Sequence, residues 1–154
     1  MTIDYLANHR VAIPRLAQYC FNEWRPVYDK RGMSLKDVIA AFETRVNIDR
    51  LPLAVVAIEH GNVIGTGCLK REDLEIRPHL SPWLGGLFVV PEYRNRGVAT
   101  AMIRHLLEEA QSLQFDVLYL WTSSDESLYA RLGWKTIERL DYCGYSISVM
   151  HLEL

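Results

Sequence analysis

Val98, Ala99, Met102, Ile103, Leu106, Leu107, Ala110 and Leu113 recur at gaps of three and one. That is the wide apolar stripe of a core-facing helix, and Arg96, Arg104, His105, Glu108, Glu109 and Gln111 occupy its other face. The run Trp83-Leu-Gly-Gly-Leu-Phe-Val-Val90 before it and Asp116-Val-Leu-Tyr-Leu-Trp121 after it are short, apolar and strand-like. Strand, helix and strand in this length predict a βαβ unit, with parallel strands and a right-handed crossover. Two adjacent glycines, Gly85 and Gly86, weaken a strand unless the backbone bulges there or something approaches it closely.

Upstream, Thr2–Leu6 alternates as a short edge strand. Helical spacing runs from about Asn8 to Trp24, with Pro14 required in its first turn and Pro26 read as its stop. Asp29–Gly32 then reads as a polar loop. Ser34 and Asp37 form a capping-box pattern, with Met33 and Val38 placed as a hydrophobic staple. Leu35, Val38, Ile39, Phe42 and Val46 make one helical face, with Lys36, Glu43 and Arg45 turned elsewhere. Leu53–Ile58 and Val63–Leu69 read as a hairpin across His60-Gly61-Asn62. Downstream, Glu126–Leu132 reads as a short helix stopped by Gly133. Trp134–Leu140 and Tyr145–Leu152 read as a terminal hairpin, whose edge offers a place to pair with a second subunit.

Composition narrows the class. The 154 residues are 49% hydrophobic and 23% charged, which fits one globular domain spanning 1–154. A net charge of −2 gives no reason to expect nucleic acid or an anionic membrane as partner. No apolar run approaches the roughly 18 to 20 residues of a membrane span. Cys20, Cys68 and Cys143 are too scattered for a zinc pattern or a disulfide framework. They read as small hydrophobes in a chain suited to the reducing cytoplasm.

The chemistry concentrates at the strand-to-helix turn. A helix N-terminus presents free backbone N–H groups backed by the helix dipole, which together favour anions. Arg94-Asn-Arg-Gly-Val-Ala99 places Gly97, without a Cβ, and two cations at that point. It has neither the P-loop pattern nor the three glycines of a dinucleotide fingerprint. On these residues alone, a phosphate cradle and a simple packing glycine with solvated arginines stand level.

The stretch Pro91-Glu-Tyr-Arg-Asn-Arg-Gly-Val-Ala99 between strand and helix, taken with Leu128-Tyr-Ala-Arg-Leu-Gly-Trp134, resembles the GNAT superfamily of N-acetyltransferases. The order of elements matches that family along nearly the whole chain. The resemblance implies a GNAT acyl-CoA N-acyltransferase fold of the α/β (α+β) class, a mixed sheet of about seven strands with about four helices. It also implies acetyl-CoA as co-substrate and a small-molecule or peptide amine as acceptor. Carried over residue by residue, Leu87, Phe88 and Val89 would pair with the pantetheine arm like an added strand. Arg94 and Arg96 flank the N–H groups of Asn95, Arg96, Gly97, Val98, Ala99 and Thr100, which would hold the pyrophosphate. Tyr129 would stand near the thioester sulfur as general acid. The family often has Asn seven residues before this tyrosine, where this chain has Thr122.

Acetyl transfer to an amine requires a neutral nucleophile, a donor for the developing oxyanion, held reactants and a proton for the leaving thiolate. A bulge at Gly85-Gly86 would turn one N–H, that of Val89, toward the carbonyl. Tyr129, with an ordinary pKa near ~10, is a proton donor at neutral pH. Glu72, Asp73, Glu75, Glu92 and His79 are the candidate bases, and Glu72, Asp73 and Glu75 together would favour a cationic acceptor. Trp83 could wall the pocket or sit in the core, whereas Trp24, Tyr28 and Phe42 read as core. A non-catalytic CoA-binding or sensor module and a transferase for longer acyl chains are the alternatives to N-acetyl transfer.

Overall fold

The structure is a computed structural model describing residues 1–154. Seven strands form one mixed sheet in the order β1-β2-β3-β4-β5-β7-β6. They are β1 (Thr2–Tyr5), β2 (Leu53–Glu59), β3 (Asn62–Lys70), β4 (Trp83–Val89), β5 (Val117–Thr122), β6 (Lys135–Tyr142) and β7 (Tyr145–Glu153). Five α-helices cover its faces: α1 (Ile13–Glu23), α2 (Arg25–Lys30), α3 (Leu35–Glu43), α4 (Val98–Ser112) and α5 (Glu126–Arg131).

The apolar alternation of β2 explains the layering. Ala54 and Val56 pack under α1 and α3 with Leu16, Phe21, Phe42 and Phe88. Leu53 and Val55 pack on the opposite face with Ile103 and Leu106 of α4. A strand covered on both faces must be apolar at consecutive positions, and this one is. The βαβ unit is confirmed: β4 and β5 are parallel, with α4 as crossover. No helix is long and apolar enough to cross a membrane.

Two helical expectations fare differently. Ser34 caps α3 as predicted: its Oγ accepts the Asp37 N–H at 3.3 Å, and its own N–H donates to Asp37 Oδ2 at 2.9 Å. Pro26, however, does not stop helical structure. The chain breaks one step earlier, at Trp24 (φ −115°, ψ 35°), and Pro26 lies in the first turn of a new helix that continues to Lys30. A proline costs no hydrogen bond in a first turn, so the same residue serves a start as well as a stop. This segment is the helix beyond the four expected, and its last two residues, Asp29 and Lys30, fall in the expected Asp29–Gly32 loop.

The sheet is irregular at its centre, between β3 and β4. Thr66 pairs with Phe88 and Cys68 with Gly85, so Gly86 and Leu87 together oppose Gly67 alone. That is a β-bulge in β4, with Gly86 in the left-handed region at φ +57°. Beyond it β4 and β5 diverge, since only Trp83 and Tyr119 remain in register between them.

Candidate active site

The divergence of β4 from β5 opens a cleft of about 770 Å³ through the sheet, from the turn before α4 to the loop after β3. Its first wall is the outer edge of β4. The Val90 N–H donates to the Ile64 carbonyl at 2.8 Å, toward β3. Alternation along the strand turns the N–H of Val89 to the other edge, where no strand pairs with it. Leu87, on the far side of Phe88, shares that edge. Phe88 itself is buried against Tyr19, ring centroids 5.1 Å apart.

At one end of the cleft stands the start of α4. Its first internal hydrogen bond runs from Ala101 N–H to Gly97 C=O at 3.0 Å. The N–H groups from Asn95 to Thr100 have no acceptor within the chain. Asn95 (φ +62°) and Gly97 (φ +80°) take left-handed conformations that turn the chain into the helix, and a Cβ on Gly97 would meet no atom within 4 Å. Successive free N–H groups around open space form an anion-binding concavity.

Across the cleft from β4, α5 presents Tyr129, only 6% exposed and packed edge-on to Trp134 at 6.0 Å. Burial, with a smaller contribution from the Asp125 carboxylate, pushes its phenol well above the ordinary tyrosine value. Its hydroxyl has no hydrogen-bond partner in the protein. A family model described as the acetyltransferase (GNAT) family matches residues 15–134.

The chain belongs to the GNAT acetyltransferase family.

Solved structures agree on the fold. An aminoglycoside 6'-N-acetyltransferase complexed with coenzyme A is 16% identical with a TM-score of 0.76, covering 99% of this chain and 97% of that one. A ribosomal-protein-alanine N-acetyltransferase from Brucella melitensis is 18% identical with a TM-score of 0.76 over 100% of both chains. The Salmonella typhimurium protein yncA, solved with its cofactor acetyl-CoA, is 16% identical with a TM-score of 0.73, covering 99% of this chain and 93% of that one. No match was found among curated proteins.

Most of the residues that the GNAT resemblance singles out meet in this cleft. Leu87, Phe88, Val89, Arg94, Asn95, Gly97, Val98, Ala99, Thr100, Thr122 and Tyr129 all line it. Arg96 does not: its guanidinium lies over the Tyr93 ring at 5.5 Å, on the exposed side of the turn. Arg94 does more than carry charge. Its Nε–H donates to the Val89 carbonyl at 2.8 Å, and Glu23 faces it at 3.8 Å. The Thr122 Oγ1 accepts the N–H of Asp125 at 3.0 Å, closing the turn into α5.

The far end of the GNAT cleft departs from expectation. Trp24 and Tyr28 line it, because the unforeseen α2 carries the chain over the opening. Trp83 and Phe42 are core residues, both fully buried. Two members of the acidic group, Asp73 and Glu75, are ion-paired within the chain. Lys70 Nζ pairs with Asp73 at 2.6 Å, and Arg31 pairs with Glu75 at 3.1 Å while Tyr142 donates to Glu75 at 2.6 Å. Glu72, Glu92 and His79 are exposed and border none of this cleft. Asp73 alone of the candidate bases lines it, lying so close over Gly85 that a Cβ there would be 2.9 Å from Oδ2.

Two cleft residues escaped the sequence reading. Arg45, expected to point away, is 9% exposed and turned inward beneath the bulge. Trp121 has a buried indole N–H without an acceptor. The signal for Arg45 was present: it stands three residues after Phe42 and seven after Val38, continuing the spacing of the α3 apolar stripe just past the helix end.

Proposed function

We propose that this GNAT chain is an acetyl-CoA-dependent N-acetyltransferase that moves the acetyl group to a primary amine by direct attack. The observation that carries the reading is the continuity of three features along one cleft. They are the free N–H groups of residues 95–100, the unpaired edge of β4 and the unpartnered hydroxyl of Tyr129.

Each feature suits one need of the reaction. The N–H groups from Asn95 to Thr100 hold the pyrophosphate of CoA, with the α4 dipole behind them. Leu87 and Val89 offer backbone groups to the amides of the pantetheine arm, as a neighbouring strand would. The Val89 N–H donates to the thioester carbonyl oxygen as charge develops on it. Asp73, beside Gly85, orients the incoming ammonium, whose proton passes to water or to this carboxylate before attack. The amine nitrogen then bonds to the carbonyl carbon, the C–S bond breaks, and Tyr129 protonates the departing thiolate. The acetylated nitrogen loses its second proton to water, and the phenol regains one from solvent.

Thermal melting with CoA and an amine screen that follows thiol release test this together. Acetyl-CoA should raise the Tm, and at least one primary amine should release CoA. No shift at millimolar CoA would overturn the reading. Binding without transfer to any amine would leave a CoA-binding module in its place, and faster release from a longer acyl-CoA would move the donor assignment.

A further inference from the structure

Arg45 lies more than nine-tenths buried in the cleft with no ion pair and no hydrogen bond from its guanidinium to any group of the chain. It is held by its contact with the Phe42 ring, 4.6 Å from guanidinium carbon to centroid. Its Nη1 lies 3.4 Å from where a Cβ on Gly86 would stand, so the charge sits directly at the bulge. The neighbouring charges cancel in pairs: Lys70 with Asp73, Arg31 with Glu75, Arg94 with Glu23. Of the titratable groups around the guanidinium, the Asp73 carboxylate attracts it without pairing, and its Oδ1 is already held by Lys70. Burial pushes the Cys20 thiol up to about 12 and the Tyr28 phenol well above its usual value. The Cys68 thiol is occupied with the Gly85 carbonyl at 3.2 Å.

A guanidinium this far buried without an ion pair loses most of its hydration in the free protein, and an anion that enters the cleft offsets that loss. Its planar fork matches a carboxylate. The other charged landmark at the bulge is Asp73, over the adjacent Gly85. Neighbouring Cα atoms are about 3.8 Å apart. Asp73 gives Oδ1 to Lys70 and turns Oδ2 over Gly85, so an ammonium at Oδ2 and an anion at Arg45 would meet groups that flank adjacent residues of the bulge, a spacing that suits one short molecule bearing both charges. We infer that the acceptor is an amino-carboxylate of the free amino acid kind, its carboxylate held by Arg45 and its amine directed by Asp73 toward the bulge of β4. This rests on the N-acetyltransferase reading and names the acceptor class within it.

The test compares free amino acids with their amides, their decarboxylated amines and dipeptides, as acceptors with acetyl-CoA. At least one free amino acid should exceed its own amide by about 10²-fold in kcat/KM. Arg45→Met should remove that preference, mainly through KM, with the affinity for acetyl-CoA within twofold of the parent. Arg45→Lys should restore part of it and serves as the second variant if Arg45→Met does not fold. Amides or decarboxylated amines matching the free acids, or an Arg45→Met change that lowers all acceptors equally, would overturn the inference. If CoA fails to bind, the transferase reading falls, and the carboxylate site is then tested alone by titrating the protein with glycine and alanine and following tryptophan fluorescence. A saturable change lost in Arg45→Met and partly kept in Arg45→Lys would retain the site, and no change would remove it.

Discussion

Arg94 donates its Nε–H to the carbonyl oxygen of Val89 at 2.8 Å, tying the turn before α4 to the strand edge that faces Tyr129. One arginine thereby fixes the relative position of two parts of the cleft. Arg94→Ala should weaken acetyl-CoA binding about tenfold by calorimetry, from the lost strap and the lost charge together. Arg94→Lys should recover little of it, because an ammonium lacks the planar fork that reaches back to Val89. Full recovery by lysine would show that charge alone matters at this position.

Gly97 separates backbone strain from electrostatics. A Cβ there meets no atom within 4 Å, but φ is +80°. Gly97→Ala should therefore carry only the conformational penalty, on the order of 1–2 kcal/mol, with a moderate loss of CoA affinity. Gly97→Glu adds a carboxylate among the free N–H groups and should lower affinity by a further factor of about 10² or more. Equal affinities for the two variants would remove this turn from phosphate binding.

Tyr129→Phe should lower kcat about 10²-fold while acetyl-CoA affinity stays within a few-fold. Burial, reinforced by Asp125, raises the phenol's pKa, so the protonated form persists on the alkaline side. The rate should accordingly show no decline attributable to this residue up to about pH 10. A kcat unchanged by the substitution would exclude Tyr129 from proton transfer.

Acid should destabilise the fold through its ion-paired carboxylates. Burial alone would raise Glu75, but the Tyr142 hydroxyl and Arg31 outweigh it and hold the group below its ordinary 4.5. Ser148 and then Arg139 lower Glu126, and Arg77 lowers Glu138. A carboxyl with a lower pKa folded than unfolded contributes stability above the unfolded value and loses it as pH falls through the folded one. The Tm should be flat from pH 7 to about 5.5 and fall below the ordinary carboxylate value. Glu75→Gln should make that fall shallower, and an identical slope would discount the Arg31–Tyr142–Glu75 cluster.

Much of this molecule was legible in its sequence wherever a local cause decides the outcome. The Ser34–Asp37 box, the α4 stripe, the βαβ unit and the glycine-pair bulge each depend on a few neighbouring residues, and each is present. Pro26 was misread because proline favours a helix start as strongly as it marks a stop, and only the break at Trp24 decides between them. Arg45 follows the last turn of α3, where a cation on an apolar stripe signals an inward-facing charge. The pairing of Asp73 with Lys70 and of Glu75 with Arg31 is tertiary. Charge counting along the loop credits both carboxylates whole to a ligand, although Arg31 and Tyr142 take up Glu75 and Lys70 takes up one oxygen of Asp73, leaving Oδ2 over Gly85.

The lone register pair of Trp83 with Tyr119 makes the middle of the sheet a seam between two half-sheets, β1–β4 and β5–β7–β6. Elsewhere neighbouring strands are joined along most of their length. The parting of the strands thus lies along the same line that a long, flexible guest would enter. A guest with amides spaced along its arm would then be at once reagent and clasp, joining the two half-sheets by the hydrogen bonds that the strands do not make to each other.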